Sequence, residues 1–112
     1  MPVTLKNKNS TLYAFLKGEI DHHTAPELRE CIDDAIILND APNLIVLDFG
    51  GVTFMDSSGI GLVMGRYKLL SQNGAELAVT NPSPQIYKVM HLAGLERLAK
   101  IEKGGMKNET VK

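Results

Sequence analysis

The apolar run LIVLDF, from Leu44 to Phe49, constrains the fold more than any other stretch of the 112 residues. Branched and aromatic side chains follow one another almost without interruption, between the breaking sequence NDAPN and a pair of glycines. A short run of this kind is typical of a central strand that is covered on both faces. We therefore expect a sheet with this strand at its centre.

Weaker patterns on either side of the run predict the other elements. Val3–Leu5 and Leu12–Leu16 flank the turn-forming sequence KNKNS and indicate a hairpin that ends at Gly18. The later elements expected are a helix beginning near Thr24, a helix from about Ser58 to Gln72, a strand over Ala75–Thr80, a helix capped by Ser83 and stopped by Gly94, and a strand over Ala99–Glu102. The predicted fold is a single α/β domain over residues 1–103, with a mixed β-sheet of about five strands and about three helices, followed by a flexible tail over residues 104–112.

The first predicted helix begins with a capping box. Thr24 stands three residues before Glu27, so its hydroxyl can accept from the Glu27 N–H while the Glu27 side chain reaches back. Pro26 lies in the first turn, where it sacrifices no helical hydrogen bond. These signals predict the start of an amphipathic helix, with one face in the core and the other in solvent.

The composition excludes several broad classes of partner. With a net charge of -1, 44% hydrophobic and 22% charged residues, the chain matches ordinary globular proteins, so nucleic-acid binding is not expected. Cys31 has no second cysteine to pair with, and the N-terminus lacks the basic and apolar regions of a signal peptide. No apolar run approaches the ~20 residues needed to cross a bilayer. We expect a cytoplasmic protein with no direct membrane binding.

The sequence DSSG, from Asp56 to Gly59, falls at the start of the second predicted helix. A helix N-terminus presents unpaired N–H groups and favours an acceptor or an anion. One interpretation is structural: Asp56 or Ser57 is an N-cap worth ~1 kcal/mol. The other is that one of the two hydroxyls is phosphorylated, which would add roughly -1.5 to -2 charges and create a switch. The residue spacing leaves both open.

The second helix has an unusual outer face. At ~100° per residue its sheet-facing side is predicted to carry Ile60, Val63, Met64 and Tyr67. The opposite side carries Ser58, Gly61, Leu62, Gly65 and Leu69, where a solvated helix would have charges. Each interior glycine costs ~1 kcal/mol of helix propensity relative to alanine. Two of them on one face therefore indicate that another backbone approaches closely there. This stripe is either a docking surface or is covered by a neighbouring helix of the same domain, and Arg66 and Lys68 flank it as solvated charges or as contacts for an acidic partner.

Two adjacent histidines and an aspartate, Asp21, His22 and His23, precede the capped helix. They do not predict a metal site, because neighbouring side chains diverge and no further ligand stands at suitable spacing. A hydrolase built from Ser57, His22 and Asp21 is disfavoured, since the GxSxG elbow is missing and Asp56 would oppose a developing oxyanion. The GxxxxGKS phosphate loop is missing as well. We expect no catalytic residues, metal or cofactor.

Three segments together carry a family resemblance: GEIDHHTAPELRE, LIVLDFGGVTFMDSSGIGLVMGRYK and NPSPQIYKVMHLAGL. They resemble the anti-sigma factor antagonists of the STAS domain family, and most closely the sporulation antagonist that regulates sigma factor F. The resemblance extends over about residues 3–102. It implies a binding protein with a STAS-like fold rather than an enzyme.

The resemblance also implies a mechanism and a set of site residues. The unphosphorylated form would bind an anti-sigma factor that is also a serine kinase, and would thereby release sigma factor F. The kinase would inactivate it by phosphorylating the serine directly after the motif aspartate, Ser57, and a serine phosphatase would reverse this. Asp56, Ser58 and Gly59 would support the phosphosite. The residues expected to contact the partner are Asp21, His22, His23, Thr24, Gly61, Leu62, Gly65, Arg66 and Leu69.

Two alternatives are left open. The same fold can serve another client, for example as a general stress antagonist or a regulatory scaffold. A small nucleotide-binding domain is the other alternative, because the N-terminus of the second helix can hold a phosphate.

Overall fold

The sheet contains five strands arranged in the order in which they occur in the chain. The computed structural model describes residues 3–38 and 42–103. Within these residues the strands are β1 Val3–Lys8, β2 Thr11–Ile20, β3 Leu44–Met55, β4 Glu76–Thr80 and β5 Lys100–Glu102, and the helices are α1 Ala25–Leu38, α2 Ser57–Ser71 and α3 Pro84–Leu92, with a 3₁₀ turn at Leu95–Arg97. The predicted mixed α/β fold is therefore confirmed.

Only the first strand runs against the others. β1 pairs antiparallel with β2, and β2 to β5 pair in parallel with one another. The hairpin turn lies at Asn9 and Ser10, both with positive φ (53° and 65°), as tight hairpin turns require. The predicted hairpin is confirmed, but β2 does not end at Gly18, because the strand continues to Ile20 through a local irregularity.

All three helices pack on one face of the sheet. Each right-handed crossover between parallel strands moves the chain one strand further in the same direction, which places successive helices on the same side. On that side, alternate strand residues join the core cluster, namely Leu12, Ala14, Leu16, Ile45, Leu47, Phe49, Leu77 and Val79.

The prediction that LIVLDF is covered on both faces is wrong. Val46 points away from the helices and, although only 8% exposed, does not belong to the core cluster. Its neighbours on that face include Tyr13 and Phe15, whose rings stack with centroids 6.1 Å apart. The apolar run is continuous because side chains of the flanking strand bury Val46. Phe15, one of these side chains, is itself 38% exposed, so no further layer covers this face.

β3 is longer than the apolar run predicts. Its last pairing with β4 joins Asp48 to Thr80, and the rest of the strand pairs only with β2 within the described residues. Gly51 permits this extension, because a Cβ at this position would lie 2.8 Å from Lys17 Cβ and 3.0 Å from the Leu16 carbonyl oxygen. A two-stranded ribbon therefore extends past the carboxyl end of β4.

The third helix has the predicted ends. Ser83 Oγ accepts the Ile86 N–H at 3.3 Å, Pro84 occupies the first turn, and Gly94 follows the helix with φ of 78°. Within the described residues, no helix has the length and hydropathy needed to span a membrane. The predicted tail over 104–112 lies outside the described residues, as does part of the break NDAPN.

Candidate docking and phosphorylation site

Two loops meet at the carboxyl ends of β2 and β3. Ile20 and Met55 are partners in the parallel ladder, and the Asp56 N–H donates to the Ile20 carbonyl at 3.1 Å. The loop of residues 21–24, which leads into α1, is therefore next to residues 56–58, which begin α2. The structure brings together the phosphosite segment and the loop of residues 21–24, whose residues are expected to contact the partner.

Asp56 is the N-cap of α2. Its Oδ1 accepts the Ser58 N–H at 2.8 Å, and its carbonyl accepts the Gly59 N–H at 3.0 Å. Of the two candidates for the cap, the structure selects Asp56. Ser57 is then the first helical residue; it is exposed, and its hydroxyl makes no hydrogen bond within the described residues. Ser58 is half-buried, so Ser57 has the more accessible hydroxyl.

Gly59 is set by packing. It is buried where the first turn of α2 crosses the end of β3, and an added Cβ would overlap the Met55 Cγ and Sδ atoms. The same Cβ would lie 3.4 Å from Ile20 Cγ2. Because Met55 and Ile20 are themselves buried, there is little room for them to move. Gly59 thus fixes how closely the start of α2 approaches both strands.

The loop before α1 is held by the Asp21 carboxylate. Asp21 Oδ1 accepts the N–H groups of His23 at 2.9 Å and Thr24 at 3.0 Å. These two hydrogen bonds lower the pKa of Asp21. These hydrogen bonds stabilise the ionised form of Asp21. Their contribution to the free energy of unfolding is therefore present above the ordinary pKa of the carboxyl group and is lost as pH falls through the lowered pKa.

The predicted capping box is not formed. The Thr24 hydroxyl donates to the Glu19 carbonyl at 2.9 Å and accepts the Asp21 N–H at 3.0 Å, so it points back into the loop and away from the Glu27 N–H. The reason is that Asp21 already turns the chain, which directs the threonine toward the end of β2. Thr24 therefore helps to order the loop.

The two histidines lie on the surface of this loop. Their ring centroids are 4.0 Å apart with the planes tilted by 38°, and the His23 side chain is 77% exposed. His23 Nδ1 is 4.0 Å from Asp21 Oδ1. In the described part of the chain, no three His, Cys, Asp or Glu side chains come together as metal ligands would. The pair presents two adjacent aromatic rings beside the start of α2.

The predicted faces of α2 require correction. Leu62, expected on the outer face, is only 4% exposed, and Arg66, expected to flank that face, is only 6% exposed. Met64, expected against the sheet, is 43% exposed. The physical reason is that α2 contacts both the sheet and α1, so its buried arc is wider than one sheet-facing stripe. A neighbouring helix does cover part of the predicted outer stripe.

The exposed side of α2 follows a different helical row. Ser57, Gly61, Met64 and Lys68 are exposed at spacings of four, three and four residues, and the half-buried Gly65 lies beside them. We call these five residues the docking face. A Cβ added at Gly61 or Gly65 would contact nothing within 4 Å, so neither glycine is required by packing inside the domain. Leu69, also predicted in the stripe, is half-buried and packs against the core.

Sequence reasoning missed two residues near the site. Phe54 is 50% exposed, on the opposite side of the ribbon from the buried Met55, and strict alternation along an extended β3 would have indicated it. Asp48 accepts from the Gly50 N–H at 2.8 Å, the Thr80 hydroxyl at 2.8 Å and the Asn81 side-chain amide at 2.6 Å. A carboxylate inside an apolar run is the signal that could have revealed this junction. Through these hydrogen bonds Asp48 links the start of the two-stranded ribbon to the end of β4.

The structure has a mixed sheet with helices on one face, and an exposed serine at the capped start of α2 where two loops adjoin. These features agree with a known domain class. The family model described as STAS domain matches residues 2–104. The chain belongs to the STAS domain family.

Its similarities within the family are more specific. It is 36% identical over 101 residues to the anti-sigma F factor antagonist of Paenibacillus polymyxa, covering 90% of this chain and 86% of the relative. It is 34% identical over 87 residues to the anti-sigma-B factor antagonist of Staphylococcus aureus (strain NCTC 8325 / PS 47), covering 78% of this chain and 79% of the relative. These similarities identify an anti-sigma factor antagonist.

Two solved structures support the same assignment. The anti-sigma factor antagonist SpoIIAA in its unphosphorylated form superimposes with a TM-score of 0.77 at 33% identity, covering 97% of this chain and 95% of that chain. The Bacillus cell fate determinant SpoIIAA in its phosphorylated form gives a TM-score of 0.70 at 32% identity, covering 98% and 99%. The antagonist is therefore of the SpoIIAA type.

Proposed function

We propose that this protein is a cytoplasmic, phosphorylation-switched antagonist of an anti-sigma factor that is also a serine kinase. The unphosphorylated form binds this partner and releases sigma factor F. Phosphorylation of Ser57 by the partner ends the binding, and a serine phosphatase restores it. The observation that carries the proposal is the exposed, unbonded Ser57 hydroxyl at the first position of α2, within the docking face.

The surroundings of Ser57 explain how one phosphate would act. A phosphate there would add roughly -1.5 to -2 charges directly after the Asp56 carboxylate. A partner seated on the docking face would then meet a charged group that it must desolvate, at a cost of several kcal/mol if its own surface is acidic nearby. No change of fold is required, and SpoIIAA itself has been solved in both forms, each of which superimposes on this chain.

Contacts at the start of α2 weigh against the nucleotide-binding alternative. The Asp56 carboxylate already accepts the Ser58 N–H, in the position that a bound phosphate would take. A second anion would be repelled by this carboxylate. A phosphate attached covalently to the exposed Ser57 hydroxyl can extend into solvent and does not have to displace the cap.

Sigma factor F is the client favoured by similarity. Two relatives named for sigma F are 36% and 39% identical to this chain, over 90% and 76% of it, and the one named for sigma B is 34% identical over 78%. The second candidate, antagonism in a sigma B general stress system, keeps the same site and switch. A reconstituted competition assay separates the two candidates.

The competition assay uses preformed complexes of anti-sigma F with sigma F and of anti-sigma B with sigma B. Adding this protein is expected to release sigma F, and adding ATP is expected to stop the release as phosphate accumulates on Ser57, which peptide mass spectrometry locates. Ser57→Ala should release sigma F with or without ATP, and Ser58→Ala is the matched control that stays ATP-sensitive. Release of sigma B alone would establish the second candidate, and release from neither complex would refute antagonism.

Gly65→Trp tests the docking face. We expect binding to the anti-sigma factor to weaken at least about tenfold, or ~1.4 kcal/mol, because the ring occupies the space that a partner backbone would approach. The isolated domain should keep its fold, since the Cβ position is open, and removal of a helical glycine favours the helix by up to ~1 kcal/mol.

Gln85→Trp, at an exposed position of α3, is the control for a surface tryptophan. Isothermal titration measures affinity, and circular dichroism with urea unfolding measures stability. Loss of stability in Gly65→Trp would assign Gly65 to internal packing, and unchanged affinity would remove it from the docking face.

A further inference from the structure

An arginine is buried between the two helices that carry the site. Arg66, on α2, has a side chain only 8% exposed, and its Nε atom lies 2.9 Å from Oδ1 of Asp33 on α1. The pair is not well aligned for hydrogen bonding, because Arg66 Nε and Nη1 and Asp33 Oδ1 have no hydrogen-bond partner within the described residues. The contact is therefore a charge pair with incomplete hydrogen bonding.

Such a pair is a costly way to join two helices. Burial lowers the pKa of Arg66, the Asp33 charge opposes that shift, and the nearby Arg29 charge adds to it. Taking charges out of water and leaving donors unpaired offsets much of the attraction, and well-packed apolar residues of similar volume often stabilise as well or better. Stability alone gives no reason for an arginine here.

The position of the pair suggests another role. α1 begins directly after the loop of residues 21–24, and α2 begins at residues 56–58, so the two halves of the site are each attached to one of these helices. Leu62, one turn before Arg66, belongs to the apolar core, and the hydrophobic attraction between such residues is non-directional. A buried charge pair instead favours the register in which its two partners meet, and buried polar groups set register in some other proteins.

We propose that Arg66 and Asp33 are positioning residues that set the register of α1 against α2 and so hold the loop of residues 21–24 beside Ser57 for partner binding. The part of this inference that concerns partner binding rests on the proposed function. Arg66 acts through α1, and its burial keeps it from contacting a partner directly. This corrects the sequence-based expectation that Arg66 flanks the docking surface.

The test compares single and paired replacements. Asp33→Leu leaves the buried guanidinium uncompensated and is expected to lower Tm, whereas Asp33→Leu with Arg66→Met should restore Tm to that of the unmodified protein or above. If the pair sets register, the restored double variant should still bind the anti-sigma factor at least about tenfold more weakly, a change of ~1.4 kcal/mol. Full affinity in the double variant would overturn the proposal.

A second measurement needs no partner and separates this inference from the proposed function. The Asp56 N–H joins the two loops through its hydrogen bond to the Ile20 carbonyl, and the N–H groups of His23 and Thr24 hold the loop before α1. In the double variant their hydrogen exchange should accelerate by about tenfold or more while core amides stay protected, because the loops lose their relative placement. Unchanged exchange at all three amides would overturn the register role.

Arg66→Lys keeps the charge but loses the planar guanidinium, and it serves if the double variant does not fold. We expect it to fold, with faster exchange at the same three amides and weaker partner binding. An Arg66→Lys protein with exchange and affinity identical to those of the unmodified protein would refute the role, since a point charge without fixed geometry would then suffice.

Discussion

Replacing Ser57 with aspartate is expected to weaken binding to the anti-sigma factor by about a hundredfold, or ~2.8 kcal/mol, whereas Ser57→Ala should bind as the unmodified protein does. The reason is that Ser57 is exposed on the docking face and follows Asp56, so a second carboxylate creates adjacent like charges that a partner must desolvate. Alanine removes only a hydroxyl that makes no hydrogen bond in the free protein. Isothermal titration of both variants against the anti-sigma factor measures the difference.

Ser71→Asp is the matched control for the Ser57 variants. Ser71 is exposed at the last position of α2, so the substitution adds the same charge to the same helix, ~21 Å away at 1.5 Å per residue. Beyond the Debye length of ~8 Å at physiological salt, its effect on docking should be small. Equal affinities for Ser57→Asp and Ser57→Ala would contradict the switch, and equal losses for Ser57→Asp and Ser71→Asp would show a general charge effect.

Gly59→Ala and Gly61→Ala should change stability in opposite directions although only two residues separate them. At Gly59 the added methyl overlaps the buried Met55 side chain, and overpacking of this kind costs typically ~1–3 kcal/mol. At Gly61 the methyl meets open space, so the gain in helix propensity stabilises by up to ~1 kcal/mol. The expected difference between the two variants is ~1–4 kcal/mol in the free energy of unfolding, measured by urea denaturation.

The same pair of variants reports on binding. Because Gly59 sets the start of α2, Gly59→Ala should also weaken docking. Met55→Ala should cost less stability in that background than in the unmodified protein, because the added methyl group fills part of the space that the methionine leaves. Gly61→Ala should cost little affinity unless the partner approaches within contact of the methyl group. If Gly59→Ala is as stable as the unmodified protein, Met55 has an alternative packing and the glycine is not required.

Local sequence signals were sufficient for most of the fold. LIVLDF gave the central strand, Ser83 with Pro84 gave the start of α3, and the KNKNS turn gave the hairpin. These signals depend on backbone propensity and side-chain period, which act over a few residues. The family segments added the site, and the structure confirms that its two loops adjoin.

The errors arose where distant elements decide the outcome. Leu62 is buried and Met64 is exposed, the reverse of the prediction. The reason is that α2 is apolar on several sides, and the period of the apolar residues does not show which neighbouring element covers each side. The prediction that Arg66 is a solvated charge or a partner contact is wrong because nothing near it in the sequence identifies Asp33 as its partner. The Thr24 capping box is an exception with a local cause, since the Asp21 carboxylate accepts the Thr24 N–H that the Glu27 side chain would have bound.

At the ribbon formed by β2 and the extended β3, residues that folding requires lie beside residues that folding does not constrain. Beyond the junction at Asp48 the ribbon and one side of α2 carry the proposed recognition surface, while Ile20, Val52 and Met55 of the same ribbon belong to the core. Substitutions at Gly61, Met64 or Lys68 can therefore accumulate without disturbing folding. Gene duplication followed by drift at a few such positions would let one scaffold acquire a new client, as expected in a family whose members are named for different sigma factors.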